Sequence, residues 1–251
     1  MSNKPYKGFE PKWLLTPAPA DSYRSIFRWG DPNFFKYPKE SLYTLMKETF
    51  KMTDDDFKEY SDDIGFDPVD LSDHPVQLAP EHIESLKKIV GERNVSTTDY
   101  DRLSVAYGFT AYDILRLRHK RVDSVPDVVL YPETTGQVEQ IVAYSTEHHI
   151  PLYVYGGGSS VTRGVEPVKG GISLDMRRNF NKVISFNEID QTITVQAGMS
   201  GPDLEKTLQS APELFDAKRQ YTCGHFPQSF EYSSVGGWTV TRGAGQNLSL
   251  I

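Results

Sequence analysis

An α+β fold is predicted by three observations. From residue 127 onward, β-prone runs frame an amphipathic helix; a triple glycine closes that strand-helix-strand unit; three further short β-prone runs follow it. The first strand is "PDVVLYP". The helix after it turns Val138, Ile141 and Val142 inward, and "PLYVY" is the next strand. "GGISLDM", "KVISFN" and "TITVQAG" are the later runs, the last two joined by a hairpin turn at residues 187–190. "GPDLEKTLQS" closes the series as a short helix opened by Pro202, with Leu204 and Leu208 one turn apart.

Upstream, "APEHIESLKKIVG" reads as a punctuated helix: Pro80 suits the first turn, Ile83, Leu86, Ile89 and Val90 form its stripe, and Gly91 stops it. Between this helix and the first strand lies "TDYDRLSVAYGFTAYDILRLRHKR", read as a polar and aromatic connection. Residues 1–78 are rich in Pro, aromatics and acids, and read as an N-terminal, partly helical extension to a domain over residues 79–251. One helix stands out there, "KESLYTLMKETF", with Leu42, Leu45, Met46 and Phe50 on one face. Asp54, Asp55, Asp56, Glu59, Asp62 and Asp63 lack the Gly and terminal Glu of a calcium loop and read as a solvated turn.

The 251 residues carry a net charge of -7, which argues against a general nucleic-acid binder with a clustered basic face. A lone cysteine, Cys223, excludes an intrachain disulfide. No apolar run has the length of a signal core or membrane span, so a soluble chain is expected, cytoplasmic by default, with a peroxisome-like organelle as the alternative in a eukaryotic host.

Two glycine-rich stretches carry the chemistry. In "VYGGGSSVTRGVEP" no Lys follows Gly158 and no helix follows the glycines, so neither a dinucleotide fingerprint nor a P-loop fits. What remains is a loop whose backbone N–H groups, at Gly156, Gly157 and Gly158, approach a diphosphate directly, with the hydroxyls of Ser159 and Ser160 beside them. A tight turn needing positive φ is the competing reading. The second stretch, "GHFPQSFEYSSVGGWTVTRGAGQN", is poor core material and is better explained as lining a large polar ligand, with Ser229, Ser233, Ser234 and Thr241 as hydrogen-bonding groups.

The remaining candidates read blandly. Cys223 and His225 lack further metal ligands, so packing or a cofactor-side contact is expected and no metal site is assigned. His148 and His149 sit at a helix end, where a capping or surface role is expected. Arg242 suits either a ligand anion or a neighbouring carboxylate. No hydrolase triad is supported by the spacing of Ser and His.

The two loops, in this order and joined by this strand pattern, resemble the FAD-binding domain (PCMH-type) of the vanillyl-alcohol-oxidase and p-cresol-methylhydroxylase flavoproteins, and within it the alkyldihydroxyacetonephosphate synthases. The segments "DRLSVAYGFTAYDILRLRHKR", "PDVVLYPETTGQVEQIVAYSTEHHIPLYVYGGGSSVTRG", "ISLDMRRNFNKVISFNEIDQTITVQAGMSGPDLEKTL" and "GHFPQSFEYSSVGGWTVTRGAG" carry the resemblance, with "FRWGDP" near the start. It implies two α/β subdomains with mixed sheets, incomplete at the C-terminus, and noncovalent FAD.

By the same resemblance, Val154, Tyr155, Gly156, Gly157, Gly158, Ser159 and Ser160 wrap the pyrophosphate. Gln228, Ser229, Ser233 and Ser234 run along pyrophosphate and flavin, with Gly236 and Gly237 beyond them, and Thr241, Arg242, Gly243 and Ala244 pass the isoalloxazine or ribityl chain. Three departures stand out: Gln228 replaces a usual Asp, Ala244 a frequent Ser, and Val154 with Tyr155 a proline and an aliphatic residue. The implied activity exchanges acyl for alkyl on dihydroxyacetone phosphate in ether lipid synthesis, without net redox change. Its catalytic residues are expected in a cap region beyond Ile251, which makes the chain a fragment in this reading. An FAD-linked oxidase or dehydrogenase of a 2-hydroxy acid and an inactive truncated copy are the alternatives. A small-molecule or lipid substrate is the expected partner, and a homodimer is a possible assembly.

Overall fold

The computed structural model describes residues 18–26, 40–57 and 65–245. "FRWGDP" and the acids Glu59, Asp62 and Asp63 lie outside them. Two compact units are built, one from the described residues up to Val69 with Ile114–Arg121, the other from Asp70–Asp113 and Val122 onward.

The smaller unit contains α1 (Tyr23–Ile26) and α2 (Glu40–Phe50). Helix α2 forms where the stripe predicts, yet none of its residues is buried, and Leu45 and Phe50 are exposed. Asp56 accepts from the Thr53 N–H (2.6 Å) and hydroxyl (2.9 Å), and Asp54 pairs with Lys47, so two of the clustered acids serve a turn and an ion pair.

In the larger unit the order is α3 (Pro80–Val90), β1 (Val95–Ser96), α4 (Asp99–Ser104), α5 (Ala111–Arg118, belonging to the smaller unit from Ile114), β2 (Val128–Leu130) and α6 (Thr135–Glu147). After these come β3 (Leu152–Tyr155), β4 (Ile172–Asp175), β5 (Val183–Asn187), β6 (Thr192–Val195), α7 (Gly201–Gln209), α8 (Ala211–Phe215) and α9 (Val235–Thr241). The fold is α+β.

A four-stranded mixed sheet has the order β1-β2-β4-β3, with β2, β4 and β3 parallel and β1 antiparallel to β2. Val128, Val129 and Leu130 are fully buried, as parallel strands covered on both faces require. Alternation sends Val128, Leu130, Ile172 and Leu174 to one face, where Leu86 and Val90 of α3 and Ile141 of α6 close the main core. Val129, Tyr131 and Tyr155 share the other face with Val105. Gly171, at φ +79, precedes β4 where a Cβ would fall 2.4 Å from the Pro151 carbonyl, and its N–H donates to Asp127 (2.7 Å).

Strands β5 and β6 form a separate antiparallel hairpin. Asn187 and Asp190 lock its turn by mutual hydrogen bonds, the Asp190 N–H to the Asn187 side chain (3.0 Å) and the Asn187 amide to the Asp190 carboxylate (2.7 Å). Met199, Leu204 and Leu208 gather with Trp238 into a second core over this hairpin, so the leucines of α7 face inward as their spacing predicts.

Candidate cofactor site

The chain leaves the carboxyl end of β3 through the triple glycine, at the edge of a parallel sheet where open α/β folds place ligands. The Tyr155 ring stays buried beneath this loop. Its hydroxyl donates to the Tyr107 carbonyl (3.4 Å), and the Arg177 guanidinium lies over its ring at 4.6 Å. Arg177 forks onto Asp175 at the end of β4 (2.6 and 3.0 Å). Burial pushes the Tyr155 phenol up, which keeps it a donor. Gly158 stands at φ +70 with the Tyr155 hydroxyl oxygen 2.0 Å from where a Cβ would be, so only glycine fits.

Among the described residues, no protein acceptor takes the N–H of residues 156, 157, 158, 159 or 160. Five successive donors are therefore available at one bend. The Ser160 carbonyl is anchored by the Phe109 N–H (2.8 Å), and a Cβ on Gly108 would sit 2.2 Å from that carbonyl oxygen.

The second stretch closes against the first. A Cβ on Gly157 would lie 1.9 Å from the Tyr232 carbonyl oxygen and 2.5 Å from Ser233 Cα, and one on Gly156 would lie 2.4 Å from Ser234 Oγ. Ser229 adopts the left-handed conformation (φ 62°) before a short 3-10 turn at Phe230–Tyr232. Its carbonyl accepts from the Tyr232 N–H (2.8 Å) and from the Ser233 hydroxyl (2.8 Å). Ser233 Oγ in turn accepts from the indole N–H of Trp238 (2.6 Å).

Ser234 caps α9 by accepting from the Gly237 N–H (3.3 Å). Val235 and Gly236 give their N–H groups to the carbonyls of Met199 and Ala197, each at 2.9 Å. The start of α9 thus spends its first three donors inside the protein. Among the described residues, the successive donors left unbonded lie instead at residues 156–160.

Comparison with known proteins fits this geometry. A family described as "FAD binding domain" matches residues 126–250. The chain carries an FAD-binding domain of that family. It is 31% identical to alkyldihydroxyacetonephosphate synthase of Dictyostelium discoideum over 174 residues, which are 68% of this chain and 27% of the relative. With the synthase of Caenorhabditis elegans it shares 29% over 190 residues, 73% of this chain and 30% of that one. The cytochrome-linked D-lactate dehydrogenase 1 of Saccharomyces cerevisiae is 27% identical over 153 residues, 60% of this chain and 25% of the dehydrogenase. The chain thus spans between a quarter and a third of the length of these relatives.

A solved alkyldihydroxyacetonephosphate synthase superposes with a TM-score of 0.63 and 30% identity, covering 68% of this chain and 30% of the synthase. A p-cresol methylhydroxylase structure shares the fold with a TM-score of 0.54 and 16% identity, covering 68% of this chain and 32% of its own. The fold is accordingly the PCMH-type FAD-binding fold.

FAD offers this FAD-binding domain a pyrophosphate flanked by two extended arms, and the residues present fit it. Amide N–H groups are donors of the kind that phosphate oxygens accept, and among the described residues none of those at 156–160 is bonded to a protein acceptor. The flanking groups differ. Val154 points outward, 59% exposed, and Gln228 is exposed. The Thr241 hydroxyl donates back to the Gly237 carbonyl (2.8 Å). Arg242 ends α9 in the left-handed conformation, exposed and with no carboxylate partner among the described residues. Gly243 donates to the Trp238 carbonyl (2.8 Å), and Ala244 is exposed beside it.

His225 packs against Trp238 (5.5 Å between ring centres), and the Cys223 thiol donates to the His225 carbonyl (3.2 Å). Among the described residues no group of three His, Cys, Asp or Glu is placed to hold a metal, and no helix is long and apolar enough to cross a membrane. Sequence reasoning passed over Trp238, Gly108 and the Asp175–Arg177 fork. The signal for Gly108 was its place between Tyr107 and Phe109, an odd position for a residue without a side chain.

Proposed function

We propose that this chain supplies the FAD-holding part of a flavoenzyme of the alkyldihydroxyacetonephosphate synthase type, acting in the exchange of acyl for alkyl on dihydroxyacetone phosphate. The run of five amides at the end of β3 that have no acceptor among the described residues, abutted by the backbone of residues 232 and 233 and the side chain of Ser234, is the observation that carries it. The synthase relatives favour this class, since they align over more of the chain than the yeast dehydrogenase does.

In this reading the N–H groups of Gly156, Gly157, Gly158, Ser159 and Ser160 hold the pyrophosphate, which needs no covalent link. Gln228, Ser229, Ser233 and Ser234 form the opposite wall, and Gly236 and Gly237 let that wall close on Ala197 and the Ser234 cap. Thr241, Arg242, Gly243 and Ala244 lie along the flavin side, where the Arg242 guanidinium offers a cation to a ligand anion. When bound, FAD supplies the ring at which the substrate is activated. The residues described here bind and orient it, and the transfer chemistry rests on parts of the relatives outside the aligned region. A small-molecule or lipid substrate and a cytoplasmic or peroxisome-like setting belong to the same proposal.

The visible spectrum of the purified protein tests the cofactor half, because a yellow product with flavin absorbance is expected and a colourless one that takes up no added FAD would sink it. For the reaction, an acyl-dihydroxyacetone phosphate and a long-chain alcohol should release fatty acid and form the ether. Sustained reduction of an electron acceptor by lactate or glycolate, without that exchange, would instead establish the 2-hydroxy-acid dehydrogenase reading that the yeast relative represents.

A further inference from the structure

The loop packed against the glycines is tied to a buried side chain. Trp238 is 4% exposed, stacked on Phe230 at 5.8 Å and tilted against His225 at 5.5 Å. Its indole N–H, a donor with no acceptor function, finds Ser233 Oγ at 2.6 Å. That hydroxyl passes its own hydrogen to the Ser229 carbonyl at 2.8 Å. Ser229 is a non-glycine residue at φ 62°, a conformation that persists only when its surroundings hold it. The same carbonyl takes the Tyr232 N–H, and the Tyr232 carbonyl is the atom on which Gly157 rests.

We propose that Trp238 is a positioning residue for the cofactor: through Ser233 it fixes Ser229 in the left-handed conformation and so sets the register of residues 229–233 against the glycine loop. The proposal rests on the reading of these two loops as the FAD site. Phenylalanine keeps most of the ring's packing and leaves a small cavity, whose cost the denaturant midpoints report. The N–H cannot be replaced so, and a buried Ser233 hydroxyl left without its donor turns to other partners and releases the Ser229 carbonyl.

The test is calorimetric titration of FAD into the full chain and into Trp238→Phe, Ser233→Ala, Ser233→Thr and the Trp238→Phe/Ser233→Ala double variant, with denaturant midpoints in parallel. Trp238→Phe and Ser233→Ala should each weaken FAD binding about tenfold. The double variant should be no weaker than either single one, as two members of one relay require. Ser233→Thr, which keeps the hydroxyl, should retain affinity.

Affinity unchanged in Trp238→Phe overturns the positioning role and leaves the FAD site standing. Additive losses in the double variant, or losses that track the denaturant midpoints alone, reduce Trp238 to core packing and also overturn it. Failure of the unsubstituted chain to bind FAD overturns the site and this inference together.

Discussion

The glycine loop at residues 156–160 and the serine-bearing loop at 229–234 meet face to face, yet they reach their shapes by opposite means. The first removes side chains: Gly156 and Gly157 abut the partner loop closely enough to exclude a Cβ, and its amides stay unspent. The second keeps its side chains and spends them. Ser233 is tied to Trp238 and Ser229, and Ser234 is committed to the start of α9. One wall of this contact thus keeps its donors unspent and the other is held still by its own side chains, and the two should fail differently when altered.

The largest effect is expected at Gly157. A methyl group there meets the Tyr232 carbonyl and Ser233 Cα, both backbone, so the walls must separate. Gly157→Ala should cost about 3 kcal/mol in denaturant-measured stability and abolish retention of flavin colour. A stable yellow variant would break the claim that the walls are in contact.

Gly156 sharpens the comparison, because its obstacle is a side chain. Gly156→Ala places Cβ 2.4 Å from Ser234 Oγ but 3.6 Å from Ser234 Cβ. Alone it should cost about 2 kcal/mol. In a Ser234→Ala background, which itself should lose about 1 kcal/mol with the helix cap, most of that cost should vanish. Additivity of the two substitutions, read from urea midpoints, would show that the side-chain contact is not what glycine avoids.

The same contrast explains what could be read beforehand. Three adjacent glycines after a β-branched, aromatic run have few explanations, so the first wall was visible as a turn that something approaches closely. The hairpin turn at Asn187 and Asp190 and the inward leucines of α7 were legible for similar local reasons. Helix α9 was not, because "VGGWTVT" combines two glycines with β-branched residues, all poor helix formers. It forms because Ser234 caps it and Trp238 is buried, which are tertiary facts. Helices α4 and α5 hid in the same way within an apparent connection, around the buried run Val105, Ala106 and Tyr107. Composition also cannot tell a serine that faces a ligand from one whose hydroxyl is spent in its own loop, as at Ser233.

The approach to the second wall depends on one carboxylate, and pH should reach it. Glu205 of α7 accepts from the Cys223 N–H (3.1 Å), the Thr222 hydroxyl (3.0 Å) and the Gln209 amide (2.9 Å), which steadies the chain leading to residues 224–234. Burial works to raise its pKa, but these hydrogen bonds outweigh it and hold the group below its ordinary 4.5. A carboxyl depressed in the folded state contributes stability above the unfolded value and loses it as pH falls through the folded one. Glu205→Gln should therefore lower the denaturation midpoint near neutral pH and make progressively less difference as pH falls below 4.5, where the unfolded carboxyl takes up its proton first and the folded one follows at lower pH. A difference between the two proteins that stays constant across that range would mean that the charge of Glu205 plays no part. The segment would then be held by the shape of the side chain alone.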